Sequence, residues 1–194
     1  PPATYLHEQE KVAQRWPAAV RFIQERGLNE FFAEGVQDFG IVLQGGLYNG
    51  VLRSLELLGL ADAYGNTQVP LYVLNVTYPL VDAEFSRFCA GKRAVLVVEE
   101  GQPEFIEQEI ATLLRRRDIQ TKLHGKDLLP SGGEYAVEVL AGGLTQFAAA
   151  YLPGPATEQA RRWLAGNAVR TEIALAVLTG LLRDSRAHSV GGRP

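Results

Sequence analysis

Two runs rich in Val and Leu, Leu71–Val76 and Ala94–Val98, flank a stretch with helical spacing from Asp82 to Lys92. That arrangement is the pattern of a βαβ unit, in which two parallel strands are buried on both faces. A parallel pair needs a crossover of this size, and the crossover is right-handed in nearly every case. The unit therefore fixes the class as α/β. The first run gives way to Thr77-Tyr78-Pro79 and the second to Glu99-Glu100-Gly101. In open α/β sheets the carboxyl ends of strands are where ligands or partners meet the fold.

The rest of the chain extends this unit. Tyr5–Asn29 has helical period, with Leu6, Val12, Trp16, Ala19, Val20 and Ile23 on one face and Gly27 as a stop. Pro17 predicts a kink or a break near Trp16. Asn29–Gln37, with Phe31-Phe32, is expected as a connector covering an edge of the core. Phe39–Leu43 reads as a strand running into Gln44-Gly45-Gly46, followed by a helix over Leu47–Leu60 with Gly59 at its C-cap. Pro103 opens a helix that carries Glu104, Glu107 and Glu109 early and Arg115-Arg116-Arg117 late, a polarity suited to the macrodipole. The arginines read as a solvated helix end or as an anion patch. Ile119–His124 alternates as a half-buried or edge strand, and Glu134–Gln146 reads as a closing helix. After Pro153-Gly154-Pro155, helical spacing resumes from Ala156 to about Arg186. The expected divisions are an N-terminal helical segment over 1–36, an α/β domain over 37–150, and a helical tail with linker over 151–194.

Charge and cysteine content narrow the function classes. Of 194 residues, 46% are hydrophobic, enough for a substantial core, and 19 basic against 22 acidic residues leave a net charge of −3. That balance offers no basic footprint for nucleic acid and no polybasic membrane segment. No apolar run reaches the roughly 18 residues of a membrane span, and no signal peptide is evident. The single cysteine, Cys89, can neither close an intrachain disulfide nor ligate a cluster alone, so a reducing, cytoplasmic setting is expected. The chain begins Pro1-Pro2, lacks Met and stops at Gly192-Arg193-Pro194, which is expected of a fragment or a processed chain.

Several stretches have the placement, though not the full chemistry, of a site. Gly40, Gly45-Gly46 and Gly50 follow a strand and open a helix, the place of a phosphate cradle. A P-loop would carry Lys and then Ser or Thr after its second spaced glycine, where Gly46 and Leu47 stand, and dinucleotide spacing is also absent. A tight turn with close helix–strand packing is the stronger reading, and it predicts that a side chain at Gly46 destabilises the fold. Asn75 and Thr77 occupy the place of a ribose-binding acid. Glu99-Glu100 could be paired catalytic carboxylates, but neighbours on a strand point to opposite faces. Capping a backbone or pairing with an arginine is the favoured role. His7, His124 and His188 lack metal-ligand spacing. Cys89 reads as a small buried residue. No Gly-x-Ser-x-Gly elbow exists, and no serine has an evident partner. The candidate ligand or interface positions are Gly45, Gly46, Tyr48, Thr77, Tyr78, Glu99 and Glu100; no catalytic, cofactor-binding or metal residue is assigned.

Tyr78-Pro79-Leu80-Val81-Asp82, a helix, and then Val97-Val98-Glu99-Glu100-Gly101 resemble the C-terminal domain of the transketolase group of thiamine-diphosphate enzymes. Within that group the sequence is most similar to the indolepyruvate ferredoxin oxidoreductase family. Gly40-Ile41-Val42 with Gly45 and Tyr48, His124-Gly125-Lys126, Leu129-Pro130, Gly133-Glu134, and the segment from Leu6 to Ala19 carry the same likeness, over about residues 5–150. The resemblance implies a three-layer sandwich with a five-stranded, mainly parallel sheet in the order 1-3-2-4-5, the first strand antiparallel. It implies a parent enzyme that oxidatively decarboxylates aryl 2-oxo acids to acyl-CoA and reduces ferredoxin. That parent would use thiamine diphosphate, Mg and iron–sulfur clusters, with CoA as a substrate. The family's Cys-x-Gly-Cys-Pro-His motif would begin shortly after this chain and is absent from it. The expected role is therefore structural: to brace the enzyme's other domains within a homo-oligomer, with ferredoxin as the parent's partner and no nucleic acid or membrane involved. The alternative is a free-standing module that binds a small molecule or nucleotide at the strand ends, or a pure interaction domain.

Overall fold

The computed structural model describes residues 2–34, 37–152, 158, 162, 163, 165 and 166. The helical tail expected from Ala156 to about Arg186 lies for the most part outside them. A five-stranded sheet has the order β1-β3-β2-β4-β5, built from β1 (Glu30–Phe32), β2 (Phe39–Gln44), β3 (Leu71–Leu74), β4 (Ala94–Val98) and β5 (Lys122–His124). β1 runs antiparallel to β3, while β2, β3, β4 and β5 are mutually parallel. The helices are α1 (Pro2–Glu10), α2 (Trp16–Glu25), α3 (Tyr48–Leu57), α4 (Asp82–Cys89), α5 (Phe105–Arg116) and α6 (Val137–Tyr151).

Strand alternation assembles the two faces. Ile41, Leu43, Leu71, Val73, Leu96 and Val98 point one way, where they meet Val51 and Leu55 of α3 and Leu140, Leu144 and Phe147 of α6. Val42, Tyr72, Leu74, Val95 and Val97 point the other way, against Phe85 and Phe88 of α4 and Ile106 and Ile110 of α5. Covering on both faces explains why these strands are apolar runs rather than alternating ones. The outcome is the three-layer α/β sandwich with a mostly parallel sheet.

The structure departs from the sequence reading at several points. Asn29–Gln37, expected as a connector, supplies the edge strand β1, whose Phe31 ring stacks on Tyr72 at 4.4 Å. The strand after Pro70 stops at Leu74 rather than continuing to Val76. There Asn75 turns its amide to donate to the Leu28 carbonyl (2.9 Å) and the Glu30 carboxylate (2.8 Å). The Tyr72 hydroxyl donates to Glu84 at 2.6 Å, and the Asn29 amide reaches the same carboxylate at 3.0 Å. This group ties the approach to β1 into the sheet. Gly59 does close α3: its φ is +71°, and the Gly59 and Leu60 amides bond back to Glu56 and Leu55.

Pro17 does not break the first helix. Because Pro17 has no N–H to give to the preceding turn, the chain widens into a π-helical turn over Lys11–Arg15, and the Trp16 amide reaches back to the Lys11 carbonyl. No helix among the described residues is long and apolar enough to cross a membrane.

Candidate functional site

The connections out of β2 and β4 diverge. β2 leads through α3 to β3 on one side, and β4 leads through α5 to β5 on the other, with α3 and α5 on opposite faces. The crevice between the carboxyl ends of β2 and β4 is therefore the topological switch point, where open α/β sheets take ligands. Gln44, Gly45 and Gly46 stand on one side of it, Glu99 and Glu100 on the other. Thr77 and Tyr78 follow β3, beyond β2, and are not part of the crevice.

The chain's own groups occupy this position. Glu99 is 6% exposed, and its carboxylate accepts the Ile106 amide (3.0 Å) and the Glu107 amide (3.1 Å). Those N–H groups open α5, so the positive end of its dipole is already capped. Glu100 turns the other way, and its carboxylate accepts the Tyr135 amide. The two carboxylates point apart and share no proton. Across the crevice the Glu100 amide donates to Gln44 Oε1 at 2.9 Å. Behind it, Lys126 Nζ donates to the Glu99 carbonyl and, at 2.7 Å, to the Tyr135 hydroxyl, which itself donates to the Pro130 carbonyl. A Cβ on Gly125 would stand 2.0 Å from Glu107 Oε2, so a side chain there would displace the carboxylate that accepts the Lys126 amide.

The glycine pair divides into two cases. A Cβ on Gly45 would fall 2.4 Å from Asn75 Oδ1 and 3.2 Å from the Leu74 carbonyl, so the β2–α3 turn packs directly against the end of β3. A Cβ on Gly46 would meet nothing within 4 Å, and its backbone is not left-handed. The expected packing role therefore belongs to Gly45, and the expected destabilisation by a side chain at Gly46 has no structural basis. Tyr48 is half-buried and stacks on Phe32 at 5.3 Å, so it serves the β1 edge. Thr77 is exposed; the exposed Tyr78 ring lies edge-on to Trp16 at 4.9 Å.

One polar cluster escaped the sequence reading. His124 is buried, with Nδ1 2.6 Å from Asp127 Oδ2 and Nε2 2.7 Å from the Tyr151 hydroxyl. A carboxylate only accepts, so Nδ1 carries the proton in the contact with Asp127. Burial works against the Asp127 charge, but the Gly125 amide and His124 outweigh it and hold the carboxyl below its ordinary value. The chain of three joins β5 to the end of α6. The alternation of Ile119–His124 gave no sign of it, because it sets His124 on the same face as Gln120 and Lys122. Cys89 is fully buried, its thiol pushed up to about 12 by burial, and it is chemically quiet. Among the described residues no cluster of His, Cys, Asp or Glu could hold a metal ion.

No protein-family model matches the chain. Among curated proteins it is 34% identical over 119 residues to indolepyruvate oxidoreductase subunit IorA of Methanothermobacter thermautotrophicus, covering 60% of this chain and 18% of that protein. The subunit of the same name from Methanothermobacter marburgensis is 29% identical over 142 residues, 72% of this chain and 22% of that protein. That of Thermococcus kodakarensis is 32% identical over 114 residues, 56% and 16% respectively. The matches thus span 16–22% of the length of these relatives, and within them the chain is IorA-like.

Proposed function

We propose that this IorA-like segment is a non-catalytic structural domain of an indolepyruvate ferredoxin oxidoreductase. The parent enzyme would convert aryl 2-oxo acids to acyl-CoA by oxidative decarboxylation and pass the electrons to ferredoxin. The observation that carries the structural role is the state of the switch point. The α5 N-terminus is capped from within by Glu99, the crevice is bridged from Glu100 to Gln44, and Lys126 is engaged by Glu99 and Tyr135. These groups have their hydrogen-bonding capacity invested in the fold, which leaves little to recognise a phosphate or a carboxylate.

The parent's cofactors do not fit the residues present. An iron–sulfur cluster needs several thiolates, and the sequence holds one cysteine, buried on α4. A metal set of three or more His, Cys, Asp or Glu side chains is not gathered among the described residues. No catalytic step is assigned to this chain; its contribution is to hold other domains in place.

The test is direct. The purified chain is supplied with indolepyruvate, CoA, thiamine diphosphate, Mg and ferredoxin, and no turnover is expected. Its unfolding midpoint is then recorded with thiamine diphosphate, CoA and adenine nucleotides. A ligand at a hundred times its Kd would add about 2.7 kcal/mol of stability, so even modest binding would be visible. An unmoved midpoint is the expected result. Stabilisation by a nucleotide would replace this proposal with that of a binding module.

A further inference from the structure

The strand β5 is the last of the sheet, and no described strand pairs with its outer side. The Lys122 amide donates to the Arg93 carbonyl at 2.9 Å, so Lys122 turns its backbone groups toward β4. Direction alternates along a strand, which turns the N–H and C=O of Leu123 outward. Beside this open margin, between β5 and the second half of α5, lies a cleft of about 230 Å³. Leu114, Ile119 and Leu123 give it an apolar floor, and the exposed Arg115, Asp118 and Gln120 stand at its rim. Hydrogen bonding singles out one of those rim groups. The Gln120 amide donates to the Asp118 carboxylate at 2.8 Å, so these two occupy each other. No described carboxylate pairs with Arg115, and the residues one turn before it are Ala111 and Thr112. Nor does Arg115 serve the helix end with its side chain. Asp118 has a left-handed backbone (φ +53°), and the amides of Arg117, Asp118 and Ile119 return to the carbonyls of Leu113, Arg115 and Leu114. Backbone alone closes the last turn of α5.

We propose that this cleft docks a short, extended, acidic peptide segment, which pairs with the outer side of β5, lays one apolar side chain on the floor and sets a carboxylate on Arg115. Each part of that chemistry answers to a group on the domain. The outward N–H and C=O of Leu123 match an extended backbone, the mode in which a peptide is added to a sheet edge. The cleft is smaller than the about 300–1,000 Å³ of small-molecule sites, which suits a single side chain. The free guanidinium matches a carboxylate, which it holds through two parallel hydrogen bonds. A polyphosphate or nucleic-acid backbone fits less well, since it brings nothing apolar to the floor and meets the Asp118 carboxylate at the rim. Backbone pairing this short is weak by itself; the floor and the arginine supply the remaining contact.

The test exposes the immobilised full chain to a displayed library of random short peptides. Enriched peptides should carry Asp or Glu beside an apolar residue and should shift the Gln120 and Leu123 amide signals in NMR spectra of the chain. Arg115→Gln should weaken them by about ten-fold or more, the loss expected of a charge-assisted hydrogen bond. The unfolding midpoint should not move, because the side chain has no partner to lose. Methylating alternate backbone nitrogens of the best peptide, in the register that faces β5, should abolish binding while leaving every side chain in place. A library that enriches nothing, peptides indifferent to Arg115→Gln, or binding that survives methylation in both registers would overturn the proposal. Tighter binding of tripolyphosphate than of the best peptide would overturn it as well.

Discussion

Gly45 and Gly46 are adjacent in sequence and opposite in demand. The first is pressed against Asn75 and the Leu74 carbonyl; the second faces open space with an ordinary backbone. Gly45→Ala should cost about 2 kcal/mol, because the turn must move off β3 to admit the methyl group. Gly46→Ala should be neutral or stabilising by up to about 1 kcal/mol, since it restricts only the unfolded chain. Urea unfolding of both variants gives the comparison, and equal losses would contradict the assignment. The sequence located the pair at a strand–helix junction but could not rank its members. The deciding neighbour, Asn75, lies thirty residues away and is brought in by β2–β3 pairing. The same limit applied to His124, whose partners Asp127 and Tyr151 sit on a loop and on a helix that expectation ended at Gln146.

At the level of elements, α5 depends on a residue outside itself. Its first amides are capped by Glu99, the residue that directly follows β4. Glu99→Ala should lower stability by about 1–2 kcal/mol. It should also raise hydrogen exchange at Ile106 and Glu107 first. If those amides stayed protected, the capping account would fail. Long, doubly covered strands were legible because a short, uninterrupted apolar run bounded by polar residues suits little besides a strand buried on both faces. β1 was not, since the three residues Glu30–Phe32 are too short to establish any period and read equally well as a loop with two phenylalanines. The π-helical turn before Pro17 was half legible: the missing N–H announced a disturbance, but not whether the helix would break or widen.

Across the whole molecule, stability in acid should follow two carboxylates that stitch distant parts together. The Asp38 carboxyl is held below its ordinary value of 3.8 chiefly by its hydrogen bond from Arg93, which joins the starts of β2 and β4 and also donates to the Tyr151 carbonyl at 3.2 Å. Asp127 is held low in the same direction. A group whose pKa is depressed by folding contributes fully above its unfolded value, and the contribution drains away as pH falls through the folded one. Stability should therefore be level with respect to these groups above about pH 5 and fall below 3.8. The Asp38→Asn, Asp127→Asn variant should show a shallower acid limb when midpoints are followed by circular dichroism. An unchanged limb would mean that neither carboxylate is coupled to folding. The likeness that named the parent family was carried by short segments scattered over about residues 5–150, whereas the internal occupation of the switch point emerged only once β2 and β4 were seen side by side. The reversed direction and brevity of β1 have one more effect. At that margin the sheet ends in a three-residue ribbon tied down by Asn29 and Asn75, too short to template a strand from a neighbouring molecule, so lateral growth into fibres is discouraged where the parallel core would otherwise lie bare.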